Sequence, residues 1–270
     1  EKYRQDQRVA SISAVWGSEQ SNLLIDGFDL LLLIVSNENL NGSSVFHYIK
    51  EGRHIQERWI SKVGLESWVM EGRNRNIIHW VLKGTHILDK DGYLAQMRQH
   101  LLSFEQQLRQ QKLFVEFSLF LRRYMQSKEY LNQGHVLDAY SNILEALHHW
   151  ARITIIESGN HPELTVWNQV YEINPGVYKL YEELTSSQET MEERVQLVLL
   201  ACEFSVMSKM KDCCAYLFTV MRTRKQPWTA NELKERLDQA HVYVEVALVL
   251  KMLLKRELVQ QVVSMSTDMI

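Results

Sequence analysis

Two short stretches near the start of the chain carry residue types that can handle a phosphate chain. Val9–Trp16 alternates small and apolar side chains and runs into Gly17-Ser18. Phe28–Val35 is almost unbroken Leu, Ile and Val and carries Asp29 at its head. Both runs have strand length, and the second reads as a strand buried on both faces. A Gly-Ser pair at a strand end offers backbone N–H groups and a hydroxyl to phosphate oxygens. A carboxylate at the head of a neighbouring buried strand lies at a sheet edge, where a cleft can form. Together they can hold a phosphate chain beside a metal ion.

The elements that must position these residues follow from pattern and punctuation. Asn37–Ser44 is a turn-forming cluster. Val45–Lys50 and His54–Ser61 read as a hairpin closed by Glu51-Gly52-Arg53. Alternation puts Ile55, Glu57 and Trp59 on one face of the second strand. Short helices are expected over Leu65–Glu71, stopped by Gly72, and Asn76–Lys83, stopped by Gly84. A strand over Thr85–Leu88 and a helix over Tyr93–Gln111 complete an α+β unit. Asp89-Lys90-Asp91 is a literal Asp-x-Asp, but its place before Gly92 and a helix reads as a turn with Asp91 near the helix start. Arg73 and Arg75 stand near the next helix start, either as phosphate contacts or as a solvated loop.

Helical periodicity then takes over. Leu113–Ser127 and Val136–Glu157 are the clearest segments, and Leu137, Tyr140, Leu144, Leu147, Ala151 and Ile155 mark an apolar face on the second. A polar stripe, Asn142, Glu145, His149 and Arg152, runs along the same helix. Leu164–Tyr171, Pro175–Leu184 and Met191–Met210 add helices close enough in sequence for an antiparallel bundle. Glu145 and His148 spell Glu-x-x-His, yet a di-iron bundle needs two such pairs. Pro227-Trp228-Thr229 opens a last unit. There Thr229 and Glu232 form a capping box, Val242–Glu257 is strongly apolar, and Leu258–Ser264 is a candidate wing strand. The expected division is 1–111, 112–225 and 226–270.

Composition narrows the functions. With 46% hydrophobic residues and a net charge of −3, the chain has core-forming capacity and no global field for nucleic acid. The longest apolar run is far short of a membrane span. Cys202, Cys213 and Cys214 lack zinc-ligand spacing and read as reduced thiols. No HExxH or signal peptide is visible, so a cytosolic protein is expected.

An apolar strand, Gly-Ser, a loop and an acid opening an apolar strand resemble the head of the polymerase-beta-type nucleotidyltransferase fold. Over nearly its whole length, including Ala146-Leu147-His148-His149-Trp150-Ala151-Arg152, the chain resembles the nucleotidyltransferase-like YgxA-like group. The resemblance implies a nucleotidyltransferase-type mixed sheet with helices, a helical substrate-binding bundle and a C-terminal winged helix-turn-helix-like unit. It implies NMP transfer from an NTP with Mg²⁺ to an acceptor the residues do not identify. Gly17 and Ser18 match the family's phosphate cradle, and Asp29 matches a metal-binding acid. The family has a second acid two residues earlier, where this chain has Gly27. Asp26 fills that role only if Gly27 hosts a bulge; otherwise Asp26-Gly27 is a plain turn. A third acid should lie on the hairpin strand, where Glu57 is either that acid or an edge residue. In aminoglycoside-type relatives a bundle Glu is the base for the acceptor hydroxyl. Glu145 has that residue type, weighed against a solvated helix face. With one acid missing, a two-ion site is doubtful. A non-catalytic nucleotide sensor coupled to the helix-turn-helix is the alternative, and a purely structural interaction protein the third reading. DNA is a less favoured partner, because Val242–Leu254 offers mostly Val, Leu and Ala. A homo-oligomer is compatible with the sequence, and a membrane is not expected.

Overall fold

The computed structural model describes residues 3–17, 27–40, 42–71, 76–163 and 165–262. The chain forms two compact units that divide between Glu105 and Gln106.

The first unit is built on a five-stranded sheet. Its strands are β1 (Val9–Trp16), β2 (Leu30–Ser36), β3 (Ser44–Lys50), β4 (Arg53–Ser61) and β5 (Thr85–Asp89), in the order β3-β4-β2-β1-β5. β2 and β4 pair in parallel and the other neighbours are antiparallel, so the sheet is mixed. The hairpin turn is Glu51-Gly52, with φ of 53° and 74°. Positive φ at both central residues defines the two-residue turn whose twist suits paired strands. Pairing assigns the faces. Val15, Ser13 and Ser11 of β1 lie opposite Leu31, Leu33 and Val35, and this face is buried. Three helices pack on this unit's strands: α1 (Lys62–Glu71), α2 (Ile77–Lys83) and α3 (Tyr93–Ser103). They bury Leu65, Val69, Ile77, Val81, Leu94 and Leu101. The other face carries Ile12, Leu32, Ile34, Glu57 and Trp59. A register shift between Val9 and Ser11 lets Val9 join Ile12 and Ile34 in a small second core, with Tyr3 packed against it.

The second unit is helical. α4 (Gln106–Asn132) and α5 (Val136–Glu157) form its central pair, with α6 (Val166–Ile173), α7 (Pro175–Ser186) and α8 (Met191–Ser205) packed around α5. The helix expected over Tyr93–Gln111 is two helices, because Phe104 takes φ 38° and breaks the path. α4 therefore begins at Gln106 rather than near Leu113. The buried face of α5 is Ala139, Ile143, Ala146, Leu147 and Trp150, while Leu137, placed on the apolar face by spacing alone, is 70% exposed. α9 (Met210–Cys213), α10 (Ala215–Met221), α11 (Ala230–Asp238) and α12 (Val246–Lys255) follow. The Thr229–Glu232 capping box is present. α12 is shorter than the expected Val242–Glu257, since Glu257 takes φ 56° and Val242 precedes the helix. Among the described residues, 258–262 form no strand, so the wing is not confirmed. No helix among the described residues is long and apolar enough to cross a membrane.

Candidate functional site

β1 and β2 end together. Trp16 pairs with Leu30, and the Gly17 N–H donates to the Asp29 carbonyl oxygen at 2.9 Å. Gly17 and Asp29 thus meet at one end of the sheet. Asp29 is also fixed from its other side. Its N–H donates to the His54 carbonyl, and its Oδ2 accepts from the His54 N–H at 2.7 Å. The carboxylate thereby caps the β2–β4 ladder and remains exposed. Ser18, Asp26, Arg73 and Arg75 lie outside the described residues.

Glu57 is elsewhere. Its register partner on β2 is Leu32, three residues past Asp29, so the two acids are separated by about 10 Å along the strand. Asp29 precedes β2, and its carboxylate is turned to the His54 N–H rather than towards Glu57. The structure does not bring Asp29 and Glu57 together as ligands of one ion. Nor is Glu57 a solvated edge residue: it is 6% exposed on an inner strand. Its Oε2 accepts from the Tyr3 hydroxyl at 2.7 Å and its Oε1 from Trp59 Nε1 at 2.6 Å. Burial, then the bond and charge of Glu57, push the Tyr3 phenol well above its ordinary range, which keeps it a donor.

Asp89 acts as a cap from the end of β5. Its carboxylate accepts from Ser11 Oγ and from the Leu94 and Ala95 N–H groups that open α3. Burial opposes ionisation, but these bonds outweigh it and lower the Asp89 pKa. Asp91, expected near the helix start as the cap, instead pairs with Lys62 at 3.4 Å.

In the bundle, Glu145 is tied to Arg123 Nε at 2.6 Å and is largely exposed. His148 packs edge-on against Trp167. Among the described residues no group of three or more His, Cys, Asp or Glu can hold a metal ion. The polar stripe on α5 ends in a buried charge cluster that the sequence reading did not assemble. Glu116 of α4 accepts from Arg152 Nη1 at 2.9 Å and bonds His149 Nδ1 at 2.7 Å. Lys112, one turn earlier on α4, is buried beside it. Burial alone would raise the Glu116 pKa; Arg152, His149 and Lys112 overcome that and hold it at about 2. Burial, partly offset by Glu116, lowers Lys112 to about 8. A signal was available, since Lys112 and Glu116 are four residues apart and Glu116 is the one charge within Leu113–Leu121.

Near the C-terminus, α12 buries Val246, Val249, Met252 and Leu253, and its start is held to α4 by Arg122–Glu245 at 2.8 Å. Cys202, Cys213 and Cys214 are free, buried thiols whose pKa values are pushed up by burial, Cys213 to about 12.

Comparison with known proteins agrees with this architecture. Residues 1–109 match the family described as nucleotidyltransferase-like, and residues 110–209 match the YgxA-like substrate binding domain. Uncharacterized protein YgxA of Bacillus subtilis (strain 168) is 33% identical over 240 residues, spanning 89% of this chain and 81% of the relative. The crystal structure of a nucleotidyltransferase-like protein from Exiguobacterium sibiricum 255-15 superposes with a TM-score of 0.86 at 31% identity, over 99% of this chain and 92% of that one. By these family matches, and by the identity and coverage shared with YgxA, the chain belongs to the nucleotidyltransferase-like family of YgxA.

Proposed function

We propose that this protein binds a nucleoside triphosphate at the Gly17–Asp29 end of the sheet and transfers NMP only slowly. The observation that supports the site is the backbone bond joining Gly17 to Asp29, which puts a phosphate-binding loop start and an acid side by side. What supports slow transfer is the donor set. A Mg²⁺ pair between attacking and leaving oxygens needs several carboxylates, because Mg²⁺ favours oxygen ligands in tight octahedral geometry. Of the described acids, Asp29 stands where β1 and β2 end, Glu51 lies two strands away in the hairpin turn at the same end, Glu57 is about 10 Å along the strand, and no three metal-binding groups come together. These described residues do not fit a two-ion centre. Losing such an ion costs on the order of a thousandfold in rate.

Full NMP transfer is the second reading, with Asp26 as the further acid. It is favoured by Gly27, whose φ of 72° is a backbone state suited to re-aiming a neighbouring residue. The acceptor would be taken by the bundle, whose family description is a substrate binding domain. Buried free thiols support a reducing, cytoplasmic setting. A nucleotide-responsive regulator without transfer is the limiting form of the first reading. Its DNA arm is not favoured, because α12 spends its apolar face on packing.

The test is pyrophosphate release from each of the four NTPs with Mg²⁺ and a small-metabolite pool. The proposal expects turnover that is detectable only at high enzyme concentration. Turnover of several per second would instead establish the second reading.

A further inference from the structure

The open face of the sheet holds a buried charge that the nucleotide site does not use. Glu57 accepts from Tyr3 and Trp59, with the Tyr48 hydroxyl at a marginal 3.5 Å. All three donors are neutral. Among the described residues no Lys, Arg or His is within ion-pairing distance of Glu57. A carboxylate withdrawn from water without a counter-charge is costly, and it is normally paired. Each Glu57 oxygen also keeps a lone pair, since one strong donor reaches each.

Two cavities meet at this carboxylate, both lined by Tyr3, Tyr48 and Glu57, with volumes of about 590 Å³ and 570 Å³. Both fall in the size range of small-molecule sites. The second is also lined by Arg4 and Lys50, whose charges oppose a cation. The first adds Phe46 and Trp59 to the aromatic wall. Its other charges, Asp6 and Arg8, pair with each other at 2.8 Å, which leaves Glu57 as the uncompensated one.

We propose that the first cavity binds an organic ammonium ion, a primary or secondary amine on a small aromatic or apolar body. Glu57 accepts the ammonium N–H, and Tyr3, Phe46 and Tyr48 supply apolar contact and cation–π attraction, while the Trp59 ring, already under the Arg8 guanidinium at 5.7 Å, adds apolar contact alone. A hard divalent metal is the poorer match. The register partners of Glu57 are Leu32 on one side and Phe46 on the other, so no second carboxylate stands beside it on the sheet. The site does not depend on the nucleotide reading, since Asp29 lies about 10 Å away along the strand.

The test is a calorimetric titration of the full chain with benzylamine hydrochloride, using benzyl alcohol as the neutral counterpart. We expect saturable amine binding with a Kd on the order of 1 mM, as suits a fragment of this size, and benzyl alcohol weaker by about tenfold or more. Glu57→Gln should weaken the amine by about tenfold or more. Its amide can still accept from Trp59 and donate to the Tyr3 hydroxyl, so the sheet should melt near the wild-type temperature. Phe46→Ser, at a 54% exposed edge position, should weaken the amine several-fold and serves as the second variant if Glu57→Gln does not fold. Equal binding of amine and alcohol overturns the proposal. So does an amine affinity unchanged in Glu57→Gln, an absence of saturation by benzylamine, or displacement of the amine by millimolar MgCl₂ at constant ionic strength.

Discussion

Glu116 illustrates how much one side chain can carry. It is buried between Arg152 and His149, with Lys112 one turn away, and it keeps its charge only because these partners surround it. Removing one member of a buried ionic group leaves the others uncompensated, at a cost of about 3–5 kcal/mol. Glu116→Gln should therefore lower stability by about that amount in chemical denaturation at neutral pH. The pH dependence has a definite sign. A folded-state pKa of about 2 lies below the ordinary 4.5, so the stabilisation is full above about 4.5 and fades as pH falls towards 2. The gap between wild type and variant should close over that window, and a gap that widens on acidification would contradict the assignment. Alternation and resemblance made Asp29 and Gly17 legible from sequence. The cluster was not, because it joins two helices through partners 33 and 36 residues apart, and helical periodicity speaks only of one helix at a time. Glu145, singled out for its residue type, is held at the surface by Arg123, which the stripe pattern on α5 could not reveal.

Among elements, the hairpin was readable because its information is local: Glu51-Gly52 dictates the turn, and the turn sets the register. The parallel pairing of β2 with β4 was not readable, because nothing within either strand names its partner. That pairing decides that Glu57 stands opposite Leu32 and apart from Asp29. Gly84 was expected to stop α2, and it does, but for a reason outside the helix. A Cβ there would collide with Ser13 Oγ on β1 and with the Trp80 carbonyl oxygen. The glycine allows the helix end to approach the strand. Gly84→Ala should thus cost about 2–3 kcal/mol rather than the few tenths typical of a surface change. A thermal melt within a degree of wild type would show that the strand and helix can part without penalty. α11 and its capping box were legible as a sequence signature, whereas the end of α12 was not, because the chain turns out of the helix through a left-handed Glu257 that no Gly announces.

At the scale of the molecule, the sequence resemblance, the fold and the relatives agree on a nucleotidyltransferase-like unit followed by a YgxA-like helical unit. The fold does not by itself supply the chemistry, which lives in the acids at the sheet edge. Here the described residues at that end bring no three metal-binding groups together where transfer would use several, so nucleotide binding and transfer separate as properties. Calorimetric titration of Mg·ATP into wild type and Asp29→Asn tests that account most directly. The asparagine keeps an acceptor for the His54 N–H, and with it the end of the ladder, while removing the charge. Binding in the wild type, weakened by about tenfold or more in the variant with no change in melting temperature, is the predicted result. Mg·ATP bound equally well by both proteins would mean that the nucleotide site lies elsewhere.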